Sequence, residues 1–188
     1  DEIEYCLGLA DVEVLVFGSE FVTRMDPIVS RLSKVKMFFF VGRNIPAYAE
    51  DCCELVTYCS SSAPPVALTE DDHAAIYFSS GTTGFPKAIL HNHRALLSAC
   101  ETEQNHHHQT RKDVFLLIPP LYHTGAKMHW FGSLISGSKA VLLRGVKPEW
   151  ILRAVTEEKC TIVWLLVPWA QDLLEAIESG RVDLRHYY

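Results

Sequence analysis

The sequence predicts an α/β fold, a mainly parallel sheet with flanking helices. Short runs rich in β-branched and aromatic residues alternate with longer stretches of helical period, which is the pattern of βαβ units. Apolar residues make up 48% of the chain and charged residues 21%, a globular rather than a disordered balance. The 188 residues suit one domain whose core is large enough to fold without staples, and no internal repeat or linker interrupts residues 1–188.

Taken in order, a strand is expected at 12–17 (VEVLVF), then a helix over 19–33 and a strand at 35–41 (VKMFFFV). Residues 53–58 fit a further strand, and the Ser- and Pro-rich stretch 60–65 fits a surface loop. Strands at 75–78 and 88–91 bracket a Gly/Ser/Thr loop. A helix from 93 to about 102, a strand at 114–118, a helix over 126–135 and a strand at 140–143 follow. The series ends with a helix over 148–159, a strand at 161–166 and a helix over 169–179. Pro148 suits a first helical turn, where its missing N–H removes nothing.

Charge and cysteine content exclude several functions. Seventeen Lys and Arg against 23 Asp and Glu give a net charge of −6, unlike the basic face of a general nucleic-acid binder. No run approaches the roughly 18–20 apolar residues that span a bilayer, so no membrane span is expected. The six cysteines form no Cys-x-x-Cys pair, which points to a reduced, cytoplasmic protein. The opening Asp1-Glu2-Ile3-Glu4 has neither an initiator Met nor a secretory leader, and the chain is expected to be cut from something longer.

The most informative stretch is Tyr77-Phe78-Ser79-Ser80-Gly81-Thr82-Thr83-Gly84-Phe85-Pro86-Lys87. Glycines let backbone N–H groups approach an anion, the hydroxyls of Ser79, Ser80, Thr82 and Thr83 add donors, and Lys87 adds a point charge. The chemistry suits a polyphosphate. A Walker A loop would need Gly at Pro86 and Ser or Thr at Ala88, so a P-loop kinase or GTPase is disfavoured.

These residues resemble the signature loop of the adenylate-forming superfamily, the AMP-binding acyl-CoA and aryl-CoA synthetases, luciferases and peptide-synthetase adenylation domains. Their loop runs Tyr-Thr-Ser-Gly-Thr-Thr-Gly-x-Pro-Lys-Gly; Phe78-Ser79 stands where Tyr-Thr is usual, and Ala88 replaces the final Gly. The resemblance implies that Ser79, Ser80, Gly81, Thr82, Thr83, Gly84 and Lys87 close over the β- and γ-phosphates of ATP.

A second constellation, Pro119-Pro120-Leu121-Tyr122-His123-Thr124-Gly125, is expected between a strand and a helix. In open α/β sheets the carboxyl end of a strand is where ligands bind. By itself such a Tyr-His pair also fits packing or capping. It is similar to the superfamily's Pro-Leu-Phe/Tyr-His-x-x-Gly segment, with Gly125 one position early and Ala126 where the motif's glycine falls; the resemblance implies that Tyr122, His123 and Gly125 border an acyl pocket, with His123 in the catalytic role. Peptide-synthetase domains differ here, so the resemblance favours a CoA ligase.

The implied reaction uses ATP, Mg²⁺ and CoA to turn a carboxylic acid first into an acyl-adenylate and then into a thioester. Family members continue to a Tyr-Gly-x-Thr-Glu segment, a ribose-binding Asp and a small C-terminal lid domain with a catalytic Lys, none of which occurs in residues 1–188. The chain is therefore expected to be a central piece of the large N-terminal domain, inactive alone. The alternatives are a luciferase-like or peptide-synthetase adenylation domain, or a non-catalytic nucleotide-binding or interaction module.

The remaining candidates are given structural readings. His106, His107 and His108 are adjacent, cannot readily share one tetrahedral metal, and fit a solvated loop; no metal ligand set is assigned. His91 and His93 fit helix entry and packing. Trp130, Trp150, Trp164 and Trp169 fit the core in preference to a pocket wall.

Overall fold

The computed structural model describes residues 2–79 and 84–187. These fall into two compact units, residues 1–91 and 92–188. The α/β class holds, and among the described residues the strands form three sheets, the two three-stranded ones parallel.

In the first unit, helix α1 (Glu2–Leu9) precedes strands β1 (Val14–Gly18), β2 (Met37–Val41) and β3 (Glu50–Asp51). These pair in parallel in the order β1-β2-β3, with Val14 opposite Met37 and Phe39 opposite Glu50. Helix α1 has no counterpart in the sequence reading. The helix expected over 19–33 is broken into a 3₁₀ turn (Ser19–Phe21), the single turn α2 (Val22–Met25) and another 3₁₀ turn (Val29–Arg31). Pro27 explains the break, because it has no N–H to donate and its ring crowds the preceding turn. Met25, Ile28 and Leu32 are nevertheless buried against Phe17 and Phe40, so the helical spacing reflects a core contact rather than a continuous helix.

The strand expected at 53–58 is instead helix α3 (Cys52–Tyr58). Asp51 decides this: its carboxylate accepts the N–H groups of Cys53 at 2.8 Å and Glu54 at 3.3 Å, satisfying two orphan donors of the first turn. Strands β4 (His73–Ser79) and β5 (Lys87–Asn92) then pair as a two-stranded sheet.

The second unit comprises α4 (His93–His106), β6 (Val114–Leu117), α5 (Thr124–Ser136), β7 (Lys139–Leu142), α6 (Pro148–Glu158), β8 (Ile162–Trp164) and α7 (Val167–Glu178). Its sheet is parallel in the order β7-β6-β8, with Val114 opposite Lys139 and Phe115 opposite Ile162. The central β6 is a continuous apolar run, as a strand buried on both faces requires; Phe115, Leu116, Leu117 and Ile118 are each at most 1% exposed. Helix α4 starts where Asn92 Oδ1 accepts the Ala95 N–H at 2.9 Å. It passes its expected end at residue 102 to reach His106, since Glu103 and Gln104 are good helix formers.

Helices α4 and α5 meet at Gly132, where an added Cβ would lie 3.5 Å from the Cys100 carbonyl oxygen. Beside this approach, buried Gln109 donates to Ser133 Oγ at 2.9 Å and Ser138 Oγ at 2.6 Å, and Ser133 Oγ donates to the His129 carbonyl at 2.9 Å. A satisfied buried polar network of this kind fixes one relative setting of the two helices. No helix among the described residues is long and apolar enough to cross a membrane.

Candidate functional site

The phosphate-type loop is carried by the β4–β5 pair. Side chains alternate across a strand, so Tyr77 and Ser79 share the half-buried face of β4 while Phe78 points to the exposed one. The Tyr77 ring lies 5.1 Å from that of His91, which gives His91 the packing role expected of it. Lys87 is exposed at the first position of β5. Gly84 has φ +100°, a backbone setting that a side chain would strain, and open space surrounds its missing Cβ. An open, left-handed glycine three residues before an exposed lysine is suited to backbone approach by an anion. The expected phosphate contacts of Ser80, Gly81, Thr82 and Thr83 lie outside the described residues.

The second constellation stands at the carboxyl end of β6, the central strand of its sheet. The His123 N–H donates to the Pro120 carbonyl at 2.9 Å, closing a turn that ends in α5. His123 is the N-cap of α5, with φ −76° and ψ 130°, and its Nδ1 accepts the Gly125 N–H at 3.3 Å. An accepting Nδ1 leaves Nε2 as the ring nitrogen that can donate. The capping role that the residues alone left open is thus present. Tyr122 is 85% exposed within these residues.

At Gly125 the constraint is one of space rather than of φ. A Cβ there would lie 3.0 Å from Trp164 Cη2, the rim of a rigid ring at the end of β8. The Trp164 ring lies 6.1 Å from His123 and 5.3 Å from His129. Trp164 therefore belongs to the strand-end wall, while Trp169 packs on the core and Trp150 lies under the Lys147 ammonium, 5.2 Å from its ring centroid. The structure gathers Tyr122, His123 and Gly125 at one strand end in the second unit; Ser79, Gly84 and Lys87 belong to the first.

Sequence reasoning missed one cluster. Residues 101–106 are the last turns of α4 rather than loop, His106 and His108 are exposed, and His107 turns inward. His107 Nε2 lies 3.8 Å from Glu103 Oε2, and His129 Nδ1 lies 4.0 Å from the same oxygen. Only the Glu103–His107 spacing of four was legible in the sequence; His129 arrives through the packing of α5 on α4.

A model of the family described as AMP-binding enzyme matches residues 1–186. The medium-chain fatty-acid–CoA ligase of Escherichia coli (strain K12) is 26% identical over 160 residues, 84% of this chain and 28% of that ligase. A linear gramicidin synthase of Brevibacillus parabrevis is 32% identical over 108 residues, 56% of this chain and 1% of that synthase. The inhibitor-bound N-terminal domain of FACL13 from Mycobacterium tuberculosis superposes with a TM-score of 0.85 at 20% identity, covering 97% of this chain and 44% of that one. The chain spans less than half the length of each.

Proposed function

The chain belongs to the family of AMP-binding enzymes, and from that premise we propose that it is part of the N-terminal domain of an ATP-dependent acid–CoA ligase. The acid's carboxylate oxygen attacks the α-phosphorus of ATP, the bond to the bridging oxygen breaks, and pyrophosphate leaves; Mg²⁺, when bound, would supply charge neutralisation at the leaving phosphates. The CoA thiol then gives its proton to solvent as its sulfur attacks the acyl carbon, and AMP departs with the electron pair of the broken C–O bond. No covalent protein intermediate is needed. Catalysis of this kind rests on positioning and on charge stabilisation at the leaving phosphates.

In this reading Ser79, Ser80, Gly81, Thr82, Thr83, Gly84 and Lys87 hold the β- and γ-phosphates. Tyr122, His123 and Gly125 line the acyl side, and His123 offers its Nε2–H to the carboxylate or thioester oxygen. The observation that carries the proposal is the strand-end placement of an exposed Tyr122 beside His123, whose Nδ1 accepts the Gly125 N–H and leaves Nε2 for a ligand. The likeness to a gramicidin synthase supports a second reading, in which the adenylate passes to the thiol of a carrier protein.

The test uses the complete protein. Pyrophosphate release and CoA-thioester formation are measured over five acids of varied length and aromaticity, for the parent and for Tyr122→Ala and His123→Ala. A changed ranking of kcat/KM with a nearly constant KM for ATP is expected, because a pocket contact separates substrates by about 1–3 kcal/mol. A preserved ranking with a lower Tm removes the pocket assignment. Adenylate formation without thioester turns the case to the carrier-thiol reading.

A further inference from the structure

Glu103, His107 and His129 bring one carboxylate oxygen and two imidazole nitrogens within 4.8 Å of one another. We propose that these three side chains form a divalent-metal site of zinc type, clamping the end of α4 to α5. Two imidazoles and a carboxylate are a donor set that zinc accepts, with water filling a fourth tetrahedral position. Around a zinc with bonds of about 2.1 Å, tetrahedral donors stand roughly 3.4 Å apart. Glu103 Oε2 stands 3.8 Å and 4.0 Å from the two imidazole nitrogens, and all three atoms lie within 4.8 Å, so an ion would draw the donors together by up to about 1.4 Å.

The surroundings favour a built site over a chance meeting. His129 is 3% exposed, and its ring stacks on Phe115 at 4.8 Å, while His107 meets the same ring edge-on at 5.6 Å. Phe115 is fully buried, so its ring orients both imidazoles and supplies an apolar wall. The Glu103 side chain is 40% exposed, which leaves a path for the ion and its water. The close helix approach at Gly132 and the Gln109–Ser133 bonds fix the α5 backbone that presents His129. Metal ligands are held by such supporting contacts.

The experiment titrates the whole metal-free chain with Zn²⁺ against a chromophoric chelator and records the visible spectrum with Co²⁺ in its place. One equivalent of zinc, a raised Tm and the intense bands of a tetrahedral cobalt centre are expected. His107→Ala and Glu103→Gln alter partly exposed side chains, and His129→Asn alters the buried one. Each should weaken zinc by more than the roughly 10- to 100-fold lost with an outer-shell partner. His106→Ala and His108→Ala should leave zinc affinity unchanged. Failure to bind one equivalent, or equal losses in the His106 and His108 variants, would mean a surface histidine tract only and overturn the site. Retained affinity in both His107→Ala and Glu103→Gln would overturn it too, whatever becomes of the fold in His129→Asn.

Discussion

The β4–β5 pair and the junction of β6 with α5 carry the two sequence signatures by opposite physical means. Three residues of β4 are half-buried and the rest exposed, and Lys87 begins β5 in solvent. Strand β6, by contrast, is buried along nearly its whole length, and its last turn sets His123 as a helix cap against the Trp164 wall. The first region is written in side-chain chemistry on a shallow support; the second is written in packing that happens to end in chemistry. Substitutions should accordingly separate activity from stability in the first region and couple them in the second.

The strongest test of that contrast is Phe115→Ala. Truncating a fully buried aromatic that packs on His107 and His129 should cost about 3–5 kcal/mol, seen as a large fall in the urea midpoint. A midpoint close to the parent's would show that the second region is not governed by its core. Next in size, if Lys87 holds the phosphates as proposed, Lys87→Ala in the complete protein should remove a charged contact worth about 1.5–3 kcal/mol and slow adenylation by about one to two decades. Its Tm should stay with the parent's, because the side chain is exposed; a parallel drop in Tm would erase the distinction.

Gly125→Ala probes the junction more finely. Its Cβ meets the Trp164 rim at 3.0 Å, so overpacking of about 1–3 kcal/mol is expected, relieved in part by Trp164→Phe. Additive losses in the double variant would remove the contact as the cause. The smallest effect concerns the opposite end of β6, where Asp113 accepts bonds from the Thr110 N–H and hydroxyl and from the Thr161 hydroxyl. These hold its carboxyl below the usual carboxylate value. The resulting stability is present above the ordinary Asp pKa and lost as pH falls through the lower folded value. Asp113→Asn should flatten the acid limb of the stability profile, and an unchanged limb assigns acid sensitivity elsewhere.

Much of this was legible because period and chemistry coincide. The apolar run of β6, Pro148 at the start of α6 and the ordered string ending at Lys87 announce themselves without tertiary information. The helix expected over 19–33 failed because Met25, Ile28 and Leu32 keep helical spacing across a break at Pro27. The strand expected at 53–58 failed because one Asp51 cap outweighed a β-branched composition. The histidine cluster was illegible for another reason: two of its members lie four apart on one helix, but the third comes from α5, and only packing at Gly132 brings it near.

Trp164 offers a use beyond its structural one. Its indole touches the Gly125 position, lies 6.1 Å from His123 and 5.3 Å from His129, and stands at the end of the sheet's β8 strand. Indole emission responds to nearby charge and polarity. With Trp130, Trp150 and Trp169 replaced by Phe, Trp164 becomes a label-free optical gauge, whose colour and intensity follow events on either side of the ring as they happen.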